Sequence, residues 1–339
     1  MSNEIFLPID LNENTAIEFS QKLRKFNLTS NKSVMIDITN FSKNNGRIEP
    51  FASLLVINSL RHFFAHCLKN DINYSIRYIK EHRIVNTYAK TLRFYSSLGL
   101  GIGETPDTDY VGSSMKNFIP IMRYPVKTIK QSLDEYNEIK KIAERIAIVA
   151  SRGKEKLFKY IKFCLIELLR NIVEHSESKY FWYCAQYWSS INCVEIAIMD
   201  EGIGIHESLK KELDEDDINN ALRFSLIPGC SSKPTTHYID DAENSGFGLY
   251  MISEIGKENG DFIIASNKDL IKKCKTNEVE NFTFLRGTII RLRLNIEDLR
   301  EYELELEELR KKGLQLTENY KIYREKKKYA PGTELPKLF

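Results

Sequence analysis

Three short segments in the second half of the chain carry residue types suited to handling a chain of phosphates. They are Glu167-x-x-x-Asn171-x-x-x-His175, Asp200-Glu201-Gly202-Ile203-Gly204 and Ser245-Gly246-Phe247-Gly248-Leu249. On a helix, side chains four apart share a face, so Glu167, Asn171 and His175 form one polar stripe. Phe163, Leu165, Ile166, Leu168, Leu169, Ile172 and Val173 around them are apolar. Polar groups on a buried helix cost stability unless satisfied, which points to a shared ligand. An amide oxygen beside a carboxylate suits a hard cation such as Mg²⁺, which keeps waters and phosphates in its shell. Alone, the stripe fits a solvent-facing side of an amphipathic helix equally well.

In the second segment, Asp200 closes the apolar run 194–199, and Gly-x-Gly follows, so the backbone can turn tightly beside a ligand. Asp200 in that place could accept a hydrogen bond from an exocyclic amine. Alone, an ordinary strand-ending turn explains these residues better. The third segment leads into a helical pattern, and glycine-rich backbone at a helix N-terminus offers amide N–H groups to anions. Further on, Arg286-Gly287-Thr288 opens another apolar run, with a hydroxyl that could join Asp200.

The elements that must position these residues can be read from hydrophobic spacing. Helices are expected over 129–150 and 155–174, strands over 180–187 and 193–199, a helix over 247–256, and strands over 261–266 and 287–294. Between the glycine segments, 206–245 is polar and irregular, and a stretch of that length inside a domain is more often a functional lid than plain linker. Residues 297–328 read as a charged helical tail. The first hundred residues alternate strand, helix, strand, helix, strand, helix, with helices over 15–26, 51–68 and 84–98 and a buried strand over 34–38. Gly99-Leu-Gly-Ile-Gly103 lacks the preceding strand and following helix of a dinucleotide loop. The expected division is an α/β domain over 1–104, a linker over 105–128, a second α/β domain over 129–296 and a tail over 297–339.

Composition narrows the class. The chain has 339 residues, 42% hydrophobic and 28% charged, and 49 Lys+Arg against 47 Asp+Glu leave a formal net charge of +2. No bulk charge points to nucleic acid or to a membrane surface. The start of the chain lacks a secretory pattern, and charged residues or histidine break its apolar stretches before about 18 residues, so no membrane span is expected. The six cysteines are scattered without a Cys-x-x-Cys pair, which fits free thiols in a reducing cytoplasm rather than zinc.

Taken in order, the segments resemble those of the GHKL family, the Bergerat-fold ATPases that include DNA gyrase, histidine kinases and anti-sigma serine kinases. The resemblance covers about 130–295. It implies an α/β sandwich with a mixed sheet covered by helices, an ATP site and a protein partner or a second copy of the chain. It also implies roles: Asn171 for Mg²⁺, with His175 ending the same box, and Asp200 for the adenine amine. Gly202 and Gly204 would line the pocket wall, and Gly246, Phe247, Gly248 and Leu249 the phosphate turn. Thr288 would support Asp200 by hydrogen bonding, Glu167 would orient or deprotonate the nucleophile, and Ser232 and Lys233 would lie in the lid, where the lysine could approach the terminal phosphate. The N-terminal pattern resembles a STAS domain, in which a serine opening the helix after the buried strand, here Ser53, can be phosphorylated. Of the six histidines none lies in the helix expected over 129–150, so self-phosphorylation on histidine is not expected. ATP hydrolysis, transfer to a partner's serine or threonine, and an ATP-gated switch with little turnover stay open.

Overall fold

The computed structural model describes residues 3–26, 32–44, 46–79, 86–108, 117–230 and 246–329. Its first elements are β1 (Glu4–Phe6), α1 (Glu13–Lys25), β2 (Ser33–Asp37), α2 (Thr39–Lys43), α3 (Pro50–Lys69) and β3 (Asn73–Arg77). The strands form a parallel three-stranded sheet in the order β1-β2-β3. Asn12 and Thr15 start α1 with a reciprocal capping box, and Pro50 opens α3 at a position where its missing N–H costs nothing. The helix expected over 84–98 is two short ones, α4 (Thr87–Thr91) and α5 (Phe94–Ser97). Arg93 between them has φ 65°, a left-handed turn that no helix continues through.

The stretch expected to be linker carries β4 (Phe118–Pro125) and the start of α6 (Val126–Lys130). Pro120 and Pro125 hid this strand, since proline cannot donate to a ladder. It is tolerated because β4 is an edge strand whose register shifts between Ile119 and Met122. Next come α7 (Glu135–Ser151), α8 (Glu155–His175), β5 (Tyr180–Trp188), β6 (Cys193–Asp200), α9 (Gly204–Leu209) and α10 (Ala221–Phe224). The chain continues through α11 (Gly248–Asn259), β7 (Gly260–Ser266), β8 (Asp269–Cys274), β9 (Asn277–Phe282), β10 (Thr288–Asn295) and α12 (Tyr302–Tyr329). The second sheet has seven strands in the order β4-β5-β6-β10-β7-β8-β9. It was expected to be mixed, but every pairing in it is antiparallel. The β8–β9 hairpin has too polar a sequence to read as strand. It forms by extending an edge already laid down by β7.

Side chains alternate across this sheet and build two cores. Ile196, Ile198, Ile290 and Leu292 face α7, α8 and α11. Ala197, Met199, Ile263 and Ile289 face α3 and the N-terminal layer. The first three turns of α3, from Pro50 to Leu60, are buried at every position, because the helix lies between the two sheets. By length and apolar content α3 alone among the described helices could cross a bilayer, but most of it is buried inside the molecule. Ser53 belongs to this buried stretch: it is 0% exposed and donates to Pro50 O at 2.8 Å, closed to any kinase.

Charged groups fasten the same interface. Arg291 is fully buried, with Nη2 2.8 Å from Glu13 of α1 and 2.5 Å from Asp261. Arg293 pairs with Glu195 and, at 3.2 Å, with Glu49. Glu195 also accepts the Phe51 N–H at 2.9 Å. Desolvation offsets much of the attraction in such buried pairs, but removing either partner would leave the other charge buried and uncompensated.

Candidate functional site

Asp200 is the last residue of β6, on the face of the sheet that carries α8 and α11. Its register partner on β10 is Thr288, and Thr288 in turn pairs with Ser266 on β7. Three polar side chains therefore lie in a row across the strand ends. Asp200 is 4% exposed, and its carboxylate accepts backbone N–H groups from Gly202, at 2.8 Å, and from Thr288. Burial pushes its pKa up to about 7, against the pull of those two hydrogen bonds. The support expected from the Thr288 hydroxyl comes instead from the Thr288 backbone. The hydroxyl lies 3.3 Å from Ser266 Oγ.

The two glycine turns beside Asp200 are set by close packing. A Cβ on Gly202 would lie 1.9 Å from the Ser176 carbonyl oxygen, just past the end of α8. A Cβ on Gly287, whose φ is +84°, would lie 2.4 Å from Asp200 O and 2.6 Å from Gly202 N. Gly204, at φ +79°, is equally confined by Asn267 and Ser266. These two neighbours are part of the site and were missed from sequence. Ser266 Oγ accepts the Ile205 N–H at 2.9 Å and donates to Gly287 O at 3.1 Å. Asn267 donates to Ile203 O at 3.2 Å and accepts from Gly287 N at 3.1 Å. Only the pairing of β7 with β10 brings them there, although two polar residues ending an apolar strand were a visible hint.

Glu167 stands in the middle of α8, 7% exposed, and accepts from Arg170 Nη2 at 3.0 Å. Its carboxylate lies against the first residue of α11: a Cβ on Gly248 would be 2.1 Å from Glu167 Oε2. The first and third sequence segments thus meet directly. Gly246, at φ +69°, makes the turn that admits α11, and its carbonyl accepts the Gly229 N–H at 3.3 Å. Asn171, one turn beyond Glu167, is half-buried, and its side-chain amide makes no hydrogen bond with any described residue. His175 ends α8, with Nε2 3.8 Å from Glu174 Oε2.

Two expected residues have packing roles. The Phe247 ring lies against Gly313 of α12, where a Cβ would be 2.9 Å from it, and Leu249 packs on the α8–α11 core. Ser232 and Lys233 lie outside the described residues, as does Ser245. The near end of the expected lid is described: α9, α10 and the turn between them pack Leu209, Leu213 and Phe224 against Tyr320 and Tyr323 of α12. Lys327 of α12 reaches Asp214 at 2.9 Å and Asp217 at 2.5 Å. Among the described residues no three His, Cys, Asp or Glu side chains are grouped as a metal cluster. No protein-family model and no curated protein sequence matches the chain.

Proposed function

We propose that the chain binds Mg·ATP between α8, the start of α11 and the ends of β6, β10 and β7. It would then cleave the terminal phosphate, giving it to water or to a serine or threonine of a protein partner. This reading places residues 129–296 in the GHKL class with a Bergerat-type sandwich, and the N-terminal unit with STAS-like domains. The observation that carries it is the convergence of the three segments. Glu167 touches Gly248, the Gly202 turn touches the end of α8, and Gly287 seals both against Asp200.

The residues fit the proposed ligands. A single amide oxygen from Asn171 suits Mg²⁺, which takes few protein groups and fills its shell with water and phosphate. Bound there, the metal and triphosphate would supply the electrophilic phosphorus and neutralise its charge. Asp200, aimed from the strand end, would accept the adenine amine once ionised. The amides opening α11 would face the phosphates. Glu167, oriented by Arg170, would hold the attacking hydroxyl and receive its proton. A second reading, an ATP-gated switch with little turnover, draws on α12, whose contacts with α9 and α10 would pass a movement there to the rest of the molecule.

Terminally labelled ATP separates the outcomes. Label released as phosphate means hydrolysis, label on serine or threonine means transfer, and label retained as ATP means a switch. Glu167→Gln is expected to keep ATP and lose either turnover by at least about a hundredfold. Turnover at the wild-type rate in that variant would remove Glu167 from the chemistry.

A further inference from the structure

Glu167 has a second side. Away from Gly248 it closes one end of a groove of about 440 Å³ between α7, α8 and α12. Lys159, Phe163 and Glu167 lie on successive turns of α8, so the floor of the groove leads along one helix face to that carboxylate. Phe158, Phe163 and Tyr302 supply aromatic surface. The walls are basic: Lys140, Lys159, Lys162 and Arg310 stand against the two carboxylates of Glu167 and Glu303. Lys159 is held by Glu303 at 2.9 Å and Lys162 by Glu144 at 3.2 Å. Lys140, on α7, and Arg310, on α12, form no ion pair among the described residues, and the Lys140 ammonium lies 4.0 Å from the centre of the Tyr136 ring.

Two cations with no carboxylate partner among the described residues, on opposite walls above an aromatic floor, leave positive charge for an incoming chain to neutralise. We infer that this groove seats an acidic, apolar segment of a protein partner, and that it presents the segment's serine or threonine hydroxyl to Glu167. The partner's carboxylates would meet Lys140 and Arg310 across the walls. An apolar side chain would rest on Phe158 and Phe163. The inference rests on the proposed role of Glu167 only for the transfer step; the seating of the segment stands on the groove alone. In that step the serine oxygen bonds to phosphorus, the bond to the departing diphosphate breaks, and the hydroxyl proton passes to Glu167.

An array of serine-containing peptides graded from basic to acidic tests the groove without nucleotide. The full chain is expected to retain acidic peptides with apolar side chains selectively. Lys140→Glu with Arg310→Glu should lower that retention at least about tenfold while thermal stability and ATP affinity stay at wild-type values. Lys140→Gln with Arg310→Gln, which adds no repulsion, should give a smaller loss in the same direction. No preference for acidic peptides, or equal retention by the reversed-charge variant, overturns the inference. Selective retention by a chain that fails to bind ATP would support the groove and sink the nucleotide reading instead.

Discussion

The carboxyl group of Asp200 sets a pH signature for the whole site. Its pKa of about 7 lies well above the ordinary aspartate range, so the folded chain holds a proton there that the unfolded chain gives up. Stability from this group is therefore full below about pH 4 and is lost as pH rises towards 7. Asp200→Asn should flatten that decline in a thermal melt. Ligand affinity should run the opposite way, because accepting an amine needs the ionised form. At saturating Mg²⁺, which keeps the phosphates deprotonated, ATP should bind about tenfold more weakly near pH 6 than near pH 8. A flat profile would detach Asp200 from the base. The glycines separate fold from chemistry. Gly202→Ala sets its Cβ against the Ser176 carbonyl, which cannot yield, and is expected to cost about 3 kcal/mol of stability. Gly248→Ala meets the end of the Glu167 side chain, which can swing away, so stability should change by about 1 kcal/mol or less. Turnover should nevertheless fall. Denaturant melts and rates on both variants measure the contrast. The residue types of this site were legible in sequence because strand ends, helix faces and glycine turns leave local patterns. The reason for each glycine was not, since it lies in a backbone group or side chain far along the chain.

Elements carry the coupling around the site. Glu201, next to Asp200, accepts from Arg61 of α3 at 2.7 Å and from the Trp182 indole at 3.2 Å. One side chain of the N-terminal layer thus touches the loop that holds Asp200. The pair is partly exposed, so Arg61→Ala should leave the melting temperature nearly unchanged, consistent with the modest worth of such pairs. It should weaken nucleotide affinity about threefold to tenfold by loosening that loop. Equal affinity in calorimetry would confine Arg61 to the surface. At the other end, Lys327 is nearly buried between Asp214 and Asp217, and its removal leaves Asp217 buried without its cation. Lys327→Ala should therefore speed hydrogen exchange through residues 209–227 before any other region opens. The tail's helical character was legible from its charges and leucines. Its role was not, because Tyr320, Tyr323 and Lys327 find their partners about a hundred residues earlier. The strand containing Pro120 stayed hidden for the same kind of reason: only an existing neighbour makes an edge strand of it.

As a whole, the molecule is a seven-stranded antiparallel sheet covered on both faces, one by α7, α8 and α11 and the other by α3 and the N-terminal layer. The apolar side chains of Trp182, Met199, Ile263 and Ile289 are therefore interior only while the N-terminal unit is present. A chain starting at residue 105 exposes that face together with Glu195, Arg291 and Arg293, and it should aggregate or self-associate in sedimentation, where the full chain does not. The unbroken apolar run Ile196–Met199 on β6 fits a strand buried on both faces, but the sequence did not say what covers the second one. The claim on which the rest depends is that one pocket of this sandwich binds ATP through Mg²⁺. Calorimetry of the full chain with ATP, with and without Mg²⁺, set beside Asn171→Ala, tests it most directly. The expected result is saturable binding that needs Mg²⁺ and disappears in the variant. Absence of binding by the wild-type chain, or unchanged affinity in Asn171→Ala, would contradict it.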